Sequence, residues 1–381
     1  MTSIEDEAFI YCPRLTKIVI PDSVTSIGKY AFFECSNLTE VIIGNGVTSI
    51  GDYAFDYCEK LQEITFGNGL ISIGNYAFDH CTSLVTITIP EGTEIIGTKA
   101  FMHCTYLSDV TIPNSIVTIG DDAFGYCWIE TAKAPTHALP YVVNYYLEEI
   151  VVTYGTSIPQ LAFYECENLR KVTLPETITS IGYEAFSYCY KLVDISIPEG
   201  VTYIPDYVFY ECKSLVTIVI NSGVTKIGDK AFYGCESLET IIMPESLVEI
   251  GEYAFANCIR LVNISIPDGV TSIGEGAFAL CTKLSSVTLP ENLTAISFQT
   301  FDGCTSLTSV YIPSSVSFIE CEAFYNCTSL KDVVFEDADG WNVTSWYDGS
   351  VVAISPNELE NPELAATYLK ITYTEYDWRK N

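Results

Sequence analysis

Fifteen cysteines and three histidines are the side chains in this 381-residue sequence best suited to chemistry. Cysteine offers a nucleophile, a metal ligand or a disulfide, and histidine a general base or a metal ligand. Spacing decides among these. Cysteines stand at Cys12, Cys35, Cys58, Cys81, Cys104 and Cys127, each step 23 residues, and again at Cys166, Cys189, Cys212, Cys235, Cys258, Cys281, Cys304 and Cys327. Phenylalanine precedes every one of these fourteen by three positions, from Phe9 to Phe324. A residue that recurs at one point of every repeat meets the same surroundings each time. Beside leucine and phenylalanine those surroundings are core, where free cysteine behaves as a small hydrophobe. Neighbouring Cα atoms at about 5 Å fall inside the disulfide window, but parallel Cβ vectors need backbone movement to reach the required torsion. Buried free thiols are therefore expected, with a disulfide ladder as the weaker alternative. Cys321, in "FIECEAF", lies off the ladder and is the thiol singled out for reactivity.

His80 and His103 each directly precede a ladder cysteine in consecutive repeats, which sets them side by side on the surface; His137 stands apart. The repeat pattern shows no third ligand for them, so no metal site is expected. "DADG", from Asp337 to Gly340, opens like a calcium loop and lacks the later glutamate. Acidic pairs such as Asp121 and Asp122 recur without a polar partner pattern. Nothing sets a base beside a nucleophile, so no catalytic residue, no cofactor and no enzyme activity are expected.

The elements that position these residues follow from the period within each unit. In "ITSIGYEAFSYCYKLVDISIP", Leu192, Ile195 and Ile197 are apolar and the last two alternate with Asp194 and Ser196, the mark of a short strand with one buried face. Pro198 and Gly200 end it. In the preceding segment Ile178, Ile181, Ala185 and Phe186 are spaced by three and four, which fits a tight turn at Gly182 and then one helical or 3₁₀ turn. A single unit cannot bury its apolar side, but stacked units can. The expected fold is an α/β solenoid of about fifteen coils, on the order of 70 Å long, with a parallel β-sheet on one face and short helical or 3₁₀ turns on the other. Phe186, Cys189, Phe209, Cys212, Phe232 and Cys235 are rungs of two core ladders.

One interval of 39 residues breaks the period. Strand-leading residues there run Leu107, Ile129, Leu147 and Leu169, in steps of 22, 18 and 22, so the interval holds two coils, the first shortened and lacking its Phe-x-x-Cys turn. The solenoid is expected over residues 1–335, irregular at 128–157. Residues 336–381 are expected to cap it, with Asn361, Pro362 and Glu363 opening a helix.

Eighteen basic residues against 49 acidic give a net charge of −31. That field repels phosphate backbones and anionic membranes, so no nucleic-acid partner is expected. No apolar run approaches the roughly 18 residues of a membrane span. The start "MTSIEDEAFIYC" is no signal peptide, so the chain is expected to be either cytoplasmic or a piece of a longer secreted precursor, and its start in mid-repeat favours the piece.

The repeated "LxxVxIPxxVTSIGxxAFxxC" resembles leucine-rich repeats of the bacterial surface antigen A (BspA-like) type over roughly residues 1–335. The resemblance implies an α/β horseshoe-like leucine-rich-repeat solenoid, secreted or on the cell surface of gut and oral anaerobes or mucosal protozoa. It implies adhesion to host or microbial partners, with no catalytic motif and no binding residue to carry over. A non-enzymatic, monomeric surface protein binding a protein or glycan is thus expected; a spacer within a larger surface protein is the alternative, and a non-catalytic part of a secreted enzyme a distant one.

Partner contacts are expected along the outward strand residues Val19, Ile42, Thr65, Thr88, Thr111, Thr173, Ser196, Val219, Ile242, Ser265, Thr288, Tyr311 and Val334, an uncharged stripe that strand propensity alone would also produce. Tyr141, Tyr145, Tyr146 and Tyr154 in the irregular coils form a second candidate. Packing over the short coil is the stronger reading of that cluster.

Overall fold

The alternation that ends in Ile-Pro or Ile-Gly allows a strand of three or four residues and no more. The computed structural model describes residues 2–380, and among these are fourteen such strands and one coil, at Asp194, reduced to a single bridge. The chain forms two compact units, Met1–Gly155 and Thr156–Asn381.

In the first unit Lys17–Ile20, Glu40–Ile43 and Glu63–Thr65 pair in parallel, each residue opposite the one 23 positions on. Thr86–Thr88, Asp109–Thr111, Thr131–Ala134 and Glu149–Val152 continue the pattern. The irregular interval keeps register by stepping Asp109 to Thr131 and Thr131 to Glu149. Its missing phenylalanine is replaced by a 3₁₀ turn, Thr136–Ala138, and a short helix, Leu139–Val142, which bury Ala138, Leu139 and Val142.

A second parallel ladder runs through "SIG", a segment whose sequence suggests only a turn. Ser3–Ile4, Ser26–Ile27, Ser49–Ile50, Ser72–Ile73, Ile95–Ile96 and Thr118–Ile119 pair in order, the second residue of each pair, always isoleucine, turned inward. The following glycine is required by closeness, since a Cβ on Gly51 would lie 2.7 Å from the backbone of Gly28.

Where a helical or 3₁₀ turn is expected, the chain forms a stack of β-turns with 3₁₀-type bonds. Phe33 N–H donates to Tyr30 O (3.2 Å) and Cys35 N–H to Phe32 O (3.2 Å), while the alternate donors, on Phe32 and Glu34, reach Ala54 O (2.7 Å) and Asp56 O (2.9 Å) in the next coil. Two left-handed residues per coil, here Tyr30 (φ 55°) and Glu34 (φ 54°), interrupt any helix and turn those donors outward along the stack. Phenylalanine rings from Phe9 to Phe124 stack face to face, with centroids 4.9–5.3 Å apart.

The second unit repeats this plan. Its rings from Phe163 to Phe324 stack at 5.0–5.6 Å. Asn263–Ser265, Ser286–Thr288, Ser309–Ile312 and Asp332–Phe335 form its longest sheet of outward strands. Beyond Phe335 the chain turns antiparallel. Trp341–Ser345 lies between Val351–Ala353 and Tyr376–Lys380, and the latter pairs with Phe318–Ile319. Trp341 and Trp378 are buried against Phe335, at 5.3 and 6.3 Å. Asn361 Oδ1 accepts from the N–H groups of Glu363 and Leu364, opening the helix Pro362–Thr367.

Candidate functional site

None of the fifteen cysteines is in a disulfide. The thiol of Cys58 donates to Phe32 O (3.3 Å), that of Cys189 to Phe163 O (3.2 Å), Cys212 to Phe186 O (3.1 Å) and Cys235 to Phe209 O (3.3 Å). The same carbonyl already accepts the N–H of its own coil's cysteine, so the thiol occupies its second lone pair. Burial pushes the Cys166 and Cys281 thiols up to about 12 and raises Cys189, Cys212 and Cys235 well above the ordinary range. A neutral thiol is neither nucleophile nor metal ligand. Cys321 is 8% exposed, and burial followed by the nearby Asp377, Glu322 and Glu320 carboxylates pushes its thiol up to about 11. The expectation of special reactivity there meets a site that suppresses the thiolate.

The outward strand residues behave differently. In the first unit Val19, Thr65 and Thr88 are exposed and Ile42 and Thr111 half-buried. In the second, Thr173, Ser196, Val219, Ser265, Thr288, Tyr311 and Val334 are exposed, and Ile242 is 64% so. Where the coil at Asp194 fails to make a full strand, a cleft of ≈ 360 Å³ opens in the second unit. Glu176, Asp194, Ser196, Glu199, Val219 and Asn221 are among its walls, so it is acidic with a hydroxyl and an apolar contribution.

The tyrosine cluster is only partly a cluster. Tyr141 is half-buried beside Asn144 in a hollow with Asp122 and Tyr126. Tyr145 meets Tyr146 edge-on at 5.6 Å, and Tyr146 lies 5.4 Å from Trp128. Tyr145, Tyr146 and Tyr154 are exposed, so the packing role expected of them falls instead to Leu139 and Val142. Trp128 was outside the sequence-based candidates. Its signal was the register, because Asp109 opposite Thr131 and Thr131 opposite Glu149 align Tyr106, Trp128 and Tyr146 in successive coils. Tyr106 is 68%, Trp128 52% and Tyr145 57% exposed.

His80 and His103 do lie side by side, their rings 4.3 Å apart between Tyr57 and Tyr126. A third group joins them: Asp79 Oδ1 lies 3.0 Å from the Nδ1 of each. The sequence offered Asp79 only as one carboxylate among 49. At the "DADG" segment, Asp337 is paired with Lys380, which takes the carboxylate a calcium ion would need.

Stacked 23-residue coils with a parallel sheet, a leucine row and a phenylalanine row define a leucine-rich-repeat solenoid. The description "BspA type Leucine rich repeat region", in six copies, matches residues 2–136, 143–261 and 248–348, and the chain belongs to that family. A leucine-rich repeat protein from Bacteroides ovatus is 32% identical over 88% of each chain, with a TM-score of 0.53. A leucine rich cell surface protein from Faecalibacterium prausnitzii is 29% identical, covering 88% of this chain and 83% of its own, with a TM-score of 0.34. No curated protein matches the chain. Among the described residues no helix is long and apolar enough to cross a membrane.

Proposed function

We propose that this protein is a non-enzymatic bacterial surface or secreted adhesin-type solenoid that binds an extracellular protein or glycan, acting as a monomer. The observation that carries the reading is the solvent-exposed aromatic row of Tyr106, Trp128 and Tyr146, with Tyr145 beside it. A contiguous exposed patch of large aromatic groups is the usual mark of a contact surface. Tyrosine and tryptophan give wide contact area at little cost in side-chain entropy, and their rings suit both peptide and sugar faces. The uncharged strand stripe extends the same kind of surface, and the net charge of −31 favours neutral or basic partners over nucleic acid. Membership of a family that includes bacterial surface proteins supports the extracellular setting.

The test is a binding screen of the purified chain against extracellular-matrix proteins, mucins and a glycan array, repeated with a Trp128→Ala, Tyr145→Ala double variant. Binding to at least one class, weakened on the order of tenfold or more by the double variant, is expected, since exposed aromatic anchors dominate such contacts. Binding to none would leave the spacer reading in its stead; binding unchanged in the double variant would move the contact to the strand stripe.

A further inference from the structure

The residue before each ladder cysteine takes a left-handed conformation, φ 56° at His80 and 58° at His103, so both imidazoles emerge from the same point of consecutive coils. Tyr57 stacks on His80 (4.3 Å, 7°) and Tyr126 on His103 (4.9 Å, 9°), whereas the two imidazoles are tilted by 34° to each other. The tilt points both Nδ1 atoms at one oxygen of Asp79, 3.0 Å from each. That carboxylate is largely buried, and the imidazoles are about one-third exposed.

Hydrogen bonding accounts for only half of this. His103 Nδ1 makes a good hydrogen bond to Asp79 Oδ1, but His80 Nδ1, at the same distance, is buried without any hydrogen-bond partner. One coil earlier Asp56, at the repeat position of Asp79, is buried with its own Oδ1 unpartnered. Burying a polar atom without a partner costs folding free energy, so such atoms are rarely left unmatched. A cation would satisfy the orphan nitrogen of His80 and the carboxylate of Asp79 together.

The donor set and spacing say which cation. Tetrahedral zinc with bonds of about 2.0–2.1 Å holds its ligand atoms roughly 3.3 Å apart. Here two separations are 3.0 Å and all three ligand atoms lie within 4.8 Å of one another. Imidazole nitrogen selects zinc-like ions over calcium and magnesium, which take oxygen. We propose that Asp79 Oδ1, His80 Nδ1 and His103 Nδ1 form a binding site for a divalent transition-metal ion of the zinc class, with water in the fourth position. The sequence-based expectation of no metal rested on the lack of a third ligand, which Asp79 supplies.

The test uses the whole chain, freed of metal with a chelator and dialysed, and titrated calorimetrically with zinc chloride; cobalt(II) serves as the spectroscopic probe. One equivalent should bind, and His80→Gln and His103→Gln should each weaken binding on the order of tenfold or more, since loss of even an outer partner of a metal ligand costs about that. Both side chains are partly exposed, and circular dichroism with chelator present checks that each variant stays folded. The cobalt spectrum should lack thiolate charge transfer, and His137→Gln, at a histidine bonded to Ile116 O, should bind as the parent does. No binding at millimolar zinc, full affinity in either imidazole variant, or a thiolate band would overturn the proposal.

Discussion

At the scale of the residue, cysteine recurs because its position needs a side chain of a particular size that can also donate. Alanine would leave the second lone pair of the preceding coil's phenylalanine carbonyl unmatched, and serine would bring a stronger polar group into an apolar core. The thiol fits between them. Ring stacking alone would not require it, which is why the sequence shows that the cysteine is inside but not what it bonds. Thiol titration in denaturant without reductant should count close to fifteen free sulfhydryls, and the native protein should react far more slowly, Cys321 included. A denatured count near one would establish a disulfide ladder and overturn the arrangement. The histidine site was hidden for a related reason. Repetition makes His80 and His103 visible as a pair, whereas Asp79 matters through its side-chain direction, which no spacing encodes.

At the scale of the element, the strands and the phenylalanine row were legible because period and register coincide over every coil outside the irregular interval. The "SIG" ladder was not, since a two-residue strand carries no alternation to read. Of the helical and 3₁₀ alternatives for the turn stack, its hydrogen bonds are of the 3₁₀ type: its apolar spacing of three and four is equally that of a helix, while its backbone reverses hand twice per coil. Two substitutions separate these features. Phe232 is fully buried between Phe209 at 5.4 Å and Phe255 at 5.1 Å, so Phe232→Ala should cost about 3–5 kcal/mol in urea unfolding. A negligible loss would remove the ring row from the core. Glu34 is exposed with φ 54°, and Gly234 and Gly303 hold the equivalent position in other coils. Glu34→Gly should therefore leave stability unchanged or raise it by up to about 1 kcal/mol, whereas glycine inside a helix would lower it by about as much. The sign of the change decides between the two backbones.

At the scale of the whole molecule, repetition turns a small residue property into a large one. Twelve ladder thiols, from Cys35 to Cys327, have their pKa raised chiefly by burial, Cys166, Cys281 and Cys327 to about 12. In the unfolded chain the same thiols ionise from an ordinary value of 9.0. A raised folded-state value means the folded protein holds protons that the unfolded chain gives up. Stability from this source is therefore complete below pH 9 and lost as pH rises toward 12. Each thiol that becomes exposed contributes about 1.4 kcal/mol of loss per pH unit above 9. Coils of a solenoid contact only their neighbours, so the slope counts how many melt together. Urea unfolding between pH 8 and about 10.5 should show stability flat at first and then falling by several protons' worth per unit. Cys235→Ala, destabilising at every pH, should lower that slope by one proton. Tyrosines raised in the same way add to the parent slope but cancel in the comparison of parent with variant. A slope that the substitution leaves unchanged would mean that Cys235 ionises as readily in the folded protein as in the unfolded chain, which the burial of its coil forbids.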